Sequence, residues 1–136
     1  MTNYRQGTQV DIERVRAFLA AEGELSPVTI GSLAQDDLVF WLAIDGTELL
    51  GAILTRPQPY ADGKIRGGVD ELAVAASRRN QGIGRRLMEL AETHYRDEKA
   101  TGMLLTVVEG NGPAVHLYES LGYKTIQHRL RMTKDF

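Results

Sequence analysis

Residues 72–87 read LAVAASRRNQGIGRRL, and this stretch decides the fold. A strand-forming segment runs into a turn that contains Gly82 and Gly84, and a helix-forming segment follows the turn directly. The first N–H groups of a helix have no acceptor within the helix and lie at the positive end of its dipole, so the turn is suited to binding an anion. Its glycines would let a phosphate approach the backbone closely. Four basic residues surround the turn: Arg78, Arg79, Arg85 and Arg86.

The spacing of the turn excludes two common nucleotide-binding motifs. The pattern G-x-G-x-x-G is not met, because only Gly82 and Gly84 are present, and the pattern G-x-x-x-x-G-K-[ST] is absent. Cations at a helix N-terminus interact unfavourably with the positive end of the helix dipole. Arginines at this position therefore indicate that an anion binds there and offsets the repulsion. From the chemistry of the turn alone, an ordinary loop with solubilising arginines stays an open alternative.

Hydrophobic patterning predicts the elements on either side of this turn. Helices are predicted over residues 11–21 with Asp11 as N-cap, over 28–34 after the start signal Ser26-Pro27, over about 84–96, and from Asn111 and Pro113 to Gly122. Strands are predicted over residues 39–44, 49–55, 69–75 and 103–108. The N-terminus is expected to hold a short strand at most, and the tail over 123–132 is predicted to form one or two closing strands.

The order of these elements predicts an α/β fold, a central mixed β-sheet flanked by helices on both faces. Asp45-Gly46 indicates an antiparallel hairpin between the first two strands. The strand–helix–strand segment around 69–108 predicts a parallel βαβ unit. Because no repeat, low-complexity tract or linker interrupts the chain, we expect a single domain over residues 1–136.

The composition excludes several classes of protein. The chain has 136 residues, of which 43% are hydrophobic and 25% charged, as is typical of a globular domain. It has no cysteine, which excludes a disulfide scaffold, a thiolate metal site and a cysteine nucleophile. Its formal net charge of −2 lacks the basic excess of a nucleic-acid-binding protein. The apolar runs are too short to span a membrane and the polar N-terminus lacks a signal-peptide layout, so a cytoplasmic protein is expected.

The charge differs between the two halves of the chain. Residues 1–75 contain eleven acidic and six basic residues, a net charge of −5, whereas residues 76–136 contain seven acidic and ten basic residues, a net charge of +3. A chance distribution of surface charge explains this difference equally well as a cationic partner near the first half and an anionic partner near the second.

Two separate motifs resemble those of the GNAT family of N-acetyltransferases. Arg79-Asn80-Gln81-Gly82-Ile83-Gly84 matches the pattern R/Q-x-x-G-x-G/A and follows a strand, as in that family. A second stretch, with Asn111, Ala114, Leu117, Tyr118 and then Leu121-Gly122-Tyr123, is similar to N-x-x-A-x-x-L-Y-x-x-x-G-F/Y. Both matches occur in the family's order with a strand between them, and together they cover residues 69–123.

The resemblance implies the GNAT fold and a site for acetyl-CoA. In the family, backbone N–H groups of the loop hold the pyrophosphate, and the preceding strand pairs with the pantetheine arm in a splay between two parallel strands. The cofactor-binding residues carried over in this way are Leu72, Ala73, Val74, Arg79, Asn80, Gln81, Gly82, Ile83, Gly84, Arg85 and, on the other side of the arm, Asn111.

The resemblance also implies two catalytic residues. Acetyl transfer to an amine needs a neutral amine, a stabilised oxyanion and a proton for the leaving thiolate. Tyr118 occupies the family's position for the acid, although its helical spacing with Ala114 and Leu121 also fits a core residue. Glu71 is the candidate base, on the strand face opposite Leu72; an exposed sheet carboxylate or a salt bridge is the alternative. Asp70 is expected to face the other way.

Other polar and aromatic residues fit no competing chemistry. The three histidines, His94, His116 and His128, have no metal-ligand spacing, so no metal is expected. The segment 56–68 is rich in Pro and Gly and is a candidate mobile loop beside the acceptor. The aromatic residues Phe40, Trp41 and Tyr60 are candidates for the wall of an acceptor pocket, with burial in the core as the alternative.

The function that the resemblance implies is transfer of acetyl from acetyl-CoA directly to a primary amine, and the net charge of −5 over residues 1–75 favours a small, cationic molecule as the acceptor. The alternatives are a protein or peptide N-acetyltransferase and a non-catalytic CoA-binding regulatory module. The partners expected are acetyl-CoA and an amine acceptor, without a membrane and without nucleic acid. A homodimer is left open, because dimers are common in the family.

Overall fold

The computed structural model describes all residues, 1–136, as two compact units, Met1–Thr106 and Val107–Phe136. The first unit contains strands β1 (Asn3–Gln6), β2 (Val39–Asp45), β3 (Glu48–Pro59), β4 (Ile65–Val74) and β5 (Met103–Leu105). Its α-helices are α1 (Ile12–Ala21), α2 (Pro27–Leu33) and α3 (Ile83–Asp97), with short 3₁₀ turns at Gln9–Asp11 and Ala76–Arg78. The second unit contains one helix, α4 (Gly112–Ser120).

The five strands form one mixed sheet in the order β1-β2-β3-β4-β5. The first four are antiparallel to their neighbours, and β5 pairs in parallel with β4 after the α3 crossover. The predicted hairpin at Asp45-Gly46 and the predicted parallel βαβ unit are both confirmed. The sheet therefore changes from antiparallel to parallel pairing at β4.

Helices cover both faces of this sheet, as the sequence predicts. On one face, α1 and α2 bury Val15, Leu19 and Leu33 against alternate residues of the central strands, such as Leu42 and Leu54. On the other face, α3 packs so closely that a Cβ added to Gly51 would lie 3.1 Å from Ile83. The fold class is thus the expected mixed β-sheet flanked by helices.

The local signals at helix starts are mostly confirmed. Ser26 caps α2, since its hydroxyl accepts a hydrogen bond from the Thr29 N–H (3.2 Å), and Pro27 is the first helical residue. Asp11 precedes α1, but the chain already turns from Gln9 onward. The Asp11 carboxylate is buried and accepts hydrogen bonds from Arg5 (2.7 and 2.8 Å) as well as from the backbone N–H of Thr8 (2.8 Å).

The predicted mobile loop over 56–68 is wrong, because most of it is strand. β3 continues to Pro59 and β4 starts at Ile65, which leaves only residues 60–64 as the turn. Two prolines in a strand are tolerated here because β2 pairs with β3 only as far as Thr55, so the prolines need not donate to a second neighbour. The segment is a long β-hairpin.

The predicted closing strands in the tail are also wrong. Residues 121–136 contain neither helix nor strand, and the apolar side chains Ile126, Leu130 and Met132 are exposed. The alternation of apolar and polar residues in this segment therefore has no partner strand to pair with. β5 is shorter than predicted and ends at Leu105.

None of the helices is both long enough and apolar enough to cross a lipid bilayer.

Candidate active site

The turn between β4 and α3 has the backbone conformation that an anion-binding loop needs. Gly82 precedes the helix with φ 81°, a left-handed conformation that favours glycine, and Asn80 adopts φ 62°. The first helical hydrogen bond of α3 joins the Arg86 N–H to the Gly82 carbonyl (3.0 Å). The preceding N–H groups of Ile83 and Gly84 therefore have no acceptor within the helix. Together with the helix dipole, they create a positive site at the end of β4.

The arginines around the turn have different roles. Arg78 lies 3.3 Å from Glu48 in the β2–β3 hairpin, so it fixes the turn to the sheet. The Arg86 guanidinium lies 6.0 Å from the centre of the Tyr4 ring. Arg79 is exposed and has no hydrogen bond or ion pair with another protein group. The charge of Arg79 is therefore available to a bound anion.

The strand before the turn has an open edge. β4 pairs with β3 from Ile65 to Val74 with a bulge at Asp70, but β5 pairs with β4 only at Gly67, Gly68 and Val69. No strand pairs with the same edge of β4 over residues 70–74, which include the three predicted pantetheine-binding residues Leu72, Ala73 and Val74. Their outward backbone groups are placed to hydrogen-bond with an extended ligand. The edge leads directly into the anion-binding turn.

Glu71 lies on the face of β4 that is covered by α1 and α2. Its cross-strand partner is Leu54, which belongs to the hydrophobic core on that face, whereas Leu72 pairs with Ile53. The predicted orientation of Glu71, opposite to Leu72, is therefore what the register shows. Glu71 is half-buried, and the acidic residue Glu24, in the connection between α1 and α2, influences its ionisation.

The surroundings of Glu71 favour its neutral form. Burial is the main cause and the neighbouring Glu24 carboxyl group is the second, and together they raise the pKa of Glu71 from about 4.5 to about 8. A carboxyl group with such a pKa keeps its proton at neutral pH and below, and it becomes a carboxylate that can accept a proton as the pH rises through about 8. This is the range in which a general base for an amine is useful.

The expectation that Asp70 faces away from Glu71 is wrong. A β-bulge shifts the register between Leu54 and Thr55, so Asp70 has no cross-strand partner of its own. Its carboxylate accepts hydrogen bonds from the Ser32 hydroxyl of α2 (2.8 Å) and from the Arg56 Nε (2.7 Å). Asp70 is thus neutralised by an arginine, which Glu71 is not.

The two site residues of the second unit occupy the predicted positions on α4. Asn111 is the N-cap, and its side-chain oxygen accepts a long hydrogen bond from the Ala114 N–H (3.4 Å). Tyr118 lies in the last part of the helix and is half-buried. Its ring meets the Tyr123 ring edge to face, with 6.0 Å between the ring centres. Tyr118 is therefore packed to the extent of this aromatic contact, as its helical spacing allows.

The aromatic candidates for an acceptor pocket belong mostly to the core. Phe40 and Trp41 are 4% and 6% exposed. The Trp41 ring packs on His94 of α3, with 5.3 Å between the ring centres. Tyr60 instead lies in the hairpin turn, where the Arg66 guanidinium stacks over its ring at 4.1 Å. The alternative of core burial is correct for the first two.

Sequence reasoning missed Glu24, the neighbour of Glu71. Its only sequence signal is its place in the short acidic connection after α1, which does not show what it contacts. No group of three or more His, Asp or Glu side chains forms a metal-binding cluster in the chain.

A mixed sheet in which β4 has an open edge and leads into an anion-binding turn before α3 is the arrangement that the resemblance to the GNAT family implies. A family model described as the acetyltransferase (GNAT) family matches residues 10–123. The chain therefore belongs to the GNAT family, and the resemblance drawn from the two motifs is confirmed. The match also spans the boundary between the two compact units.

Two curated relatives are enzymes of this kind. The chain is 28% identical over 82 residues to N-alpha-acetyltransferase 30 of Saccharomyces cerevisiae, covering 60% of this chain and 47% of that protein. It is 36% identical over 84 residues to mycothiol acetyltransferase of Rhodococcus jostii, covering 60% of this chain and 27% of that protein. The aligned regions thus span less than half of each relative's length.

The same fold occurs in solved structures of low sequence identity. One is AAC(6')-Iy in complex with a bisubstrate analogue, CoA-S-monomethyl-acetylneamine, with a TM-score of 0.79. The alignment covers 100% of this chain and 99% of that chain at 14% identity. At this identity the similarity shows the fold.

Proposed function

We propose that this protein transfers an acetyl group from acetyl-CoA directly to a primary amine of a small, cationic molecule. The observation that carries the proposal is the open edge of β4 over residues 70–74, which runs into the anion-binding turn before α3. An extended arm with amide groups next to a pyrophosphate is the chemistry that such an edge and such a turn recognise together. Membership of the GNAT family supports acetyl-CoA as that ligand.

The proposed binding residues follow from this arrangement. The backbone of Leu72, Ala73 and Val74 would pair with the pantetheine arm. The N–H groups from Arg79 to Arg85 would hold the pyrophosphate, with the side-chain charge of Arg79 adding to the attraction. Asn111 is proposed, on the strength of the motif, to contact the arm from its other side.

The proposed reaction uses one base and one acid. Glu71 accepts the proton of the acceptor ammonium, and the neutral amine nitrogen attacks the thioester carbonyl carbon to form a tetrahedral intermediate. The C–S bond then breaks, and Tyr118 gives its phenolic proton to the leaving thiolate. The nitrogen loses its surplus proton to solvent, and solvent returns a proton to the Tyr118 phenolate. The products are the acetylated amine and CoA. The role of Tyr118 rests on its motif position alone.

The charge of residues 1–75 supports a cationic acceptor. This part of the chain carries a net charge of −5, and it includes the connection between α1 and α2 beside Glu71. An acidic surround attracts a cation and raises its local concentration. A cytoplasmic location, expected from the sequence, is part of the same proposal, and a homodimer stays open.

A peptide or protein amine is the second candidate acceptor. The similarity to N-alpha-acetyltransferase 30 over 60% of this chain favours it specifically. A parallel screen of polyamines, aminoglycosides and short peptides with free N-termini distinguishes the two. Preference for peptides over all small amines would replace the small-molecule proposal.

Titration calorimetry with acetyl-CoA tests the binding site. We expect binding by the wild-type protein, and loss of binding in Arg79→Glu and in Gly82→Pro, because proline cannot adopt the positive φ of Gly82. Arg96→Glu, with the same change of charge at the other end of α3, is the control that should still bind.

The outcomes of that titration separate the alternatives. Absence of binding by folded wild-type protein would refute the enzyme proposal. Binding without turnover of any amine would indicate a CoA-binding regulatory module instead. If the protein turns over an amine, Tyr118→Phe should lower kcat far more than it changes KM for acetyl-CoA.

A further inference from the structure

Glu22, the C-cap of α1, is bound to the chain just before the anion-binding turn. One of its carboxylate oxygens accepts a hydrogen bond from the Ala76 N–H (2.7 Å), across 54 positions of the sequence. Ala76 is the first residue of the 3₁₀ turn that follows β4 and leads toward Gly82. The contact therefore joins α1 to the start of the segment that is proposed to hold the pyrophosphate.

An acidic residue is unfavourable at this place for two reasons. The C-terminal end of α1 is the negative end of its dipole, so a carboxylate there destabilises the helix. A carboxylate beside an anion-binding turn also repels the anion. Glu22 forms no ion pair that would offset its charge, and the Ala76 N–H is the donor that its side chain binds. The hydrogen bond to Ala76 is therefore what this placement of a carboxylate provides.

The segment between β4 and α3 is held at its two ends. Ala75 is still bound to the sheet, because its N–H donates to the Leu50 carbonyl (2.8 Å), and the chain leaves β3 at the next residue. At the other end, Ile83 is buried and packs against the sheet. Residues 79–82 between these ends are exposed. The direction in which they leave the sheet therefore depends on the hydrogen bond at Ala76.

The 3₁₀ turn has two tethers, and only one of them acts on the backbone. Arg78 lies 3.3 Å from Glu48 of the β2–β3 hairpin, and both side chains are partly exposed. An exposed ion pair between two long side chains contributes little. Glu22 instead holds a main-chain N–H directly, and a charged acceptor strengthens that hydrogen bond. Glu22 is thus the tether that orients the main chain.

We propose that Glu22 is a positioning residue for the anion-binding turn: its carboxylate fixes the main chain at Ala76, so that the N–H groups after it are already oriented when the pyrophosphate of acetyl-CoA binds. This inference rests on the proposed function and deepens it. A turn that is ordered before binding loses less conformational entropy on binding. The negative charge of Glu22 opposes the same ligand, so its hydrogen bond and its charge change the affinity in opposite directions.

Two substitutions in the full-length protein separate these effects in titration calorimetry with acetyl-CoA. Glu22→Gln keeps an oxygen that accepts from the Ala76 N–H and removes the charge, so it should bind acetyl-CoA at least as tightly as the wild type. Glu22→Ala removes both and should bind about fivefold more weakly than Glu22→Gln, the scale of one lost hydrogen bond. Added salt should not abolish this difference, because the two variants have the same charge. Glu13→Ala, which removes an exposed carboxylate from the first turn of α1, is the control that should bind like the wild type.

Activity with S-acetylpantetheine, which carries the thioester and part of the arm but no pyrophosphate, supplies the second readout. Relative to Glu22→Gln, Glu22→Ala should have a lower kcat/KM for acetyl-CoA and an unchanged kcat/KM for S-acetylpantetheine, because only acetyl-CoA reaches the turn.

The outcomes distinguish this role from the proposed function. Equal affinity of Glu22→Ala and Glu22→Gln for acetyl-CoA would overturn the positioning role alone. Equal losses of kcat/KM with both thioesters would also overturn it, because they would show a general defect of the fold. Absence of acetyl-CoA binding by the folded wild-type protein would overturn the proposed function, and the role of Glu22 with it.

Discussion

A buried pair of hydroxyl groups, on Thr55 and Tyr95, joins α3 to β3, and their hydrogen-bond directions predict the effect of removing each. The Thr55 hydroxyl is fully buried and lies 2.6 Å from the Val39 carbonyl and 2.9 Å from the Tyr95 hydroxyl. A carbonyl can only accept, so the single proton of Thr55 goes to Val39. Tyr95 must therefore donate to Thr55.

Because of these hydrogen-bond directions, removing the Tyr95 hydroxyl and removing the Thr55 hydroxyl should lower the free energy of unfolding by different amounts. Tyr95→Phe removes one hydrogen bond and leaves Thr55 still bonded to the Val39 carbonyl, so it should cost about 1 kcal/mol. Thr55→Val removes both bonds and leaves the buried Tyr95 hydroxyl without an acceptor, so it should cost about 2–3 kcal/mol. In the double variant the Tyr95 hydroxyl is gone as well. Its cost should therefore be lower than the sum of the single costs by about 1 kcal/mol.

Urea unfolding of the four proteins measures these differences. The midpoints should fall in the order wild type, Tyr95→Phe, Thr55→Val, with the slope m unchanged, because the unfolded chain exposes the same surface. A Thr55→Val variant as stable as Tyr95→Phe would refute the assigned directions. Strictly additive costs in the double variant would show that the two hydroxyl groups are not coupled.

Two further predictions concern the stability of the first unit. Gly67→Ala should cost about 1–3 kcal/mol in urea unfolding, because the added Cβ would lie 2.4 Å from the Tyr95 ring, whereas Gly102→Ala meets nothing within 4 Å and should unfold within about 1 kcal/mol of the wild type. Arg5 holds the pKa of Asp11 far below its ordinary value. The Asp11 contribution is therefore complete above the unfolded-state pKa of about 4 and lost as pH falls below it, so the midpoint difference between wild type and Asp11→Asn should shrink in acid.

The sequence predicts those parts of the fold whose signals are local. Ser26-Pro27 starts α2 and Asp45-Gly46 turns the β2–β3 hairpin, because each of these pairs determines the backbone conformation at its own position. The anion turn before α3 is predictable for the same reason, since Gly82 supplies the positive φ and its neighbours supply the charge.

The long β3–β4 hairpin is not predictable from local signals. Pro57 and Pro59 argue against a strand in the sequence, and only the pairing shows that β3 has a single neighbour at these positions. Strand pairing involves residues that are distant in the sequence, so no residue near the two prolines indicates that this segment is a strand. The wrong prediction of closing strands in the tail has the opposite origin. The apolar and polar residues alternate there as in a strand, but no neighbouring strand pairs with the segment.

The surroundings of the candidate base depend on one irregularity in the sheet. Regular alternation would place Asp70 and Glu71 on opposite faces, with one carboxyl group on each. The bulge opposite Leu54 and Thr55 instead leaves Asp70 to reach Ser32 and Arg56, while Glu71 keeps its place against the α1–α2 side. Arg56 thereby forms an ion pair with Asp70, whereas Glu71 forms none. The pairing of Asp70 with Arg56 on the same face as Glu71 thus depends on a single extra residue in β4, which no periodic pattern in the sequence reveals.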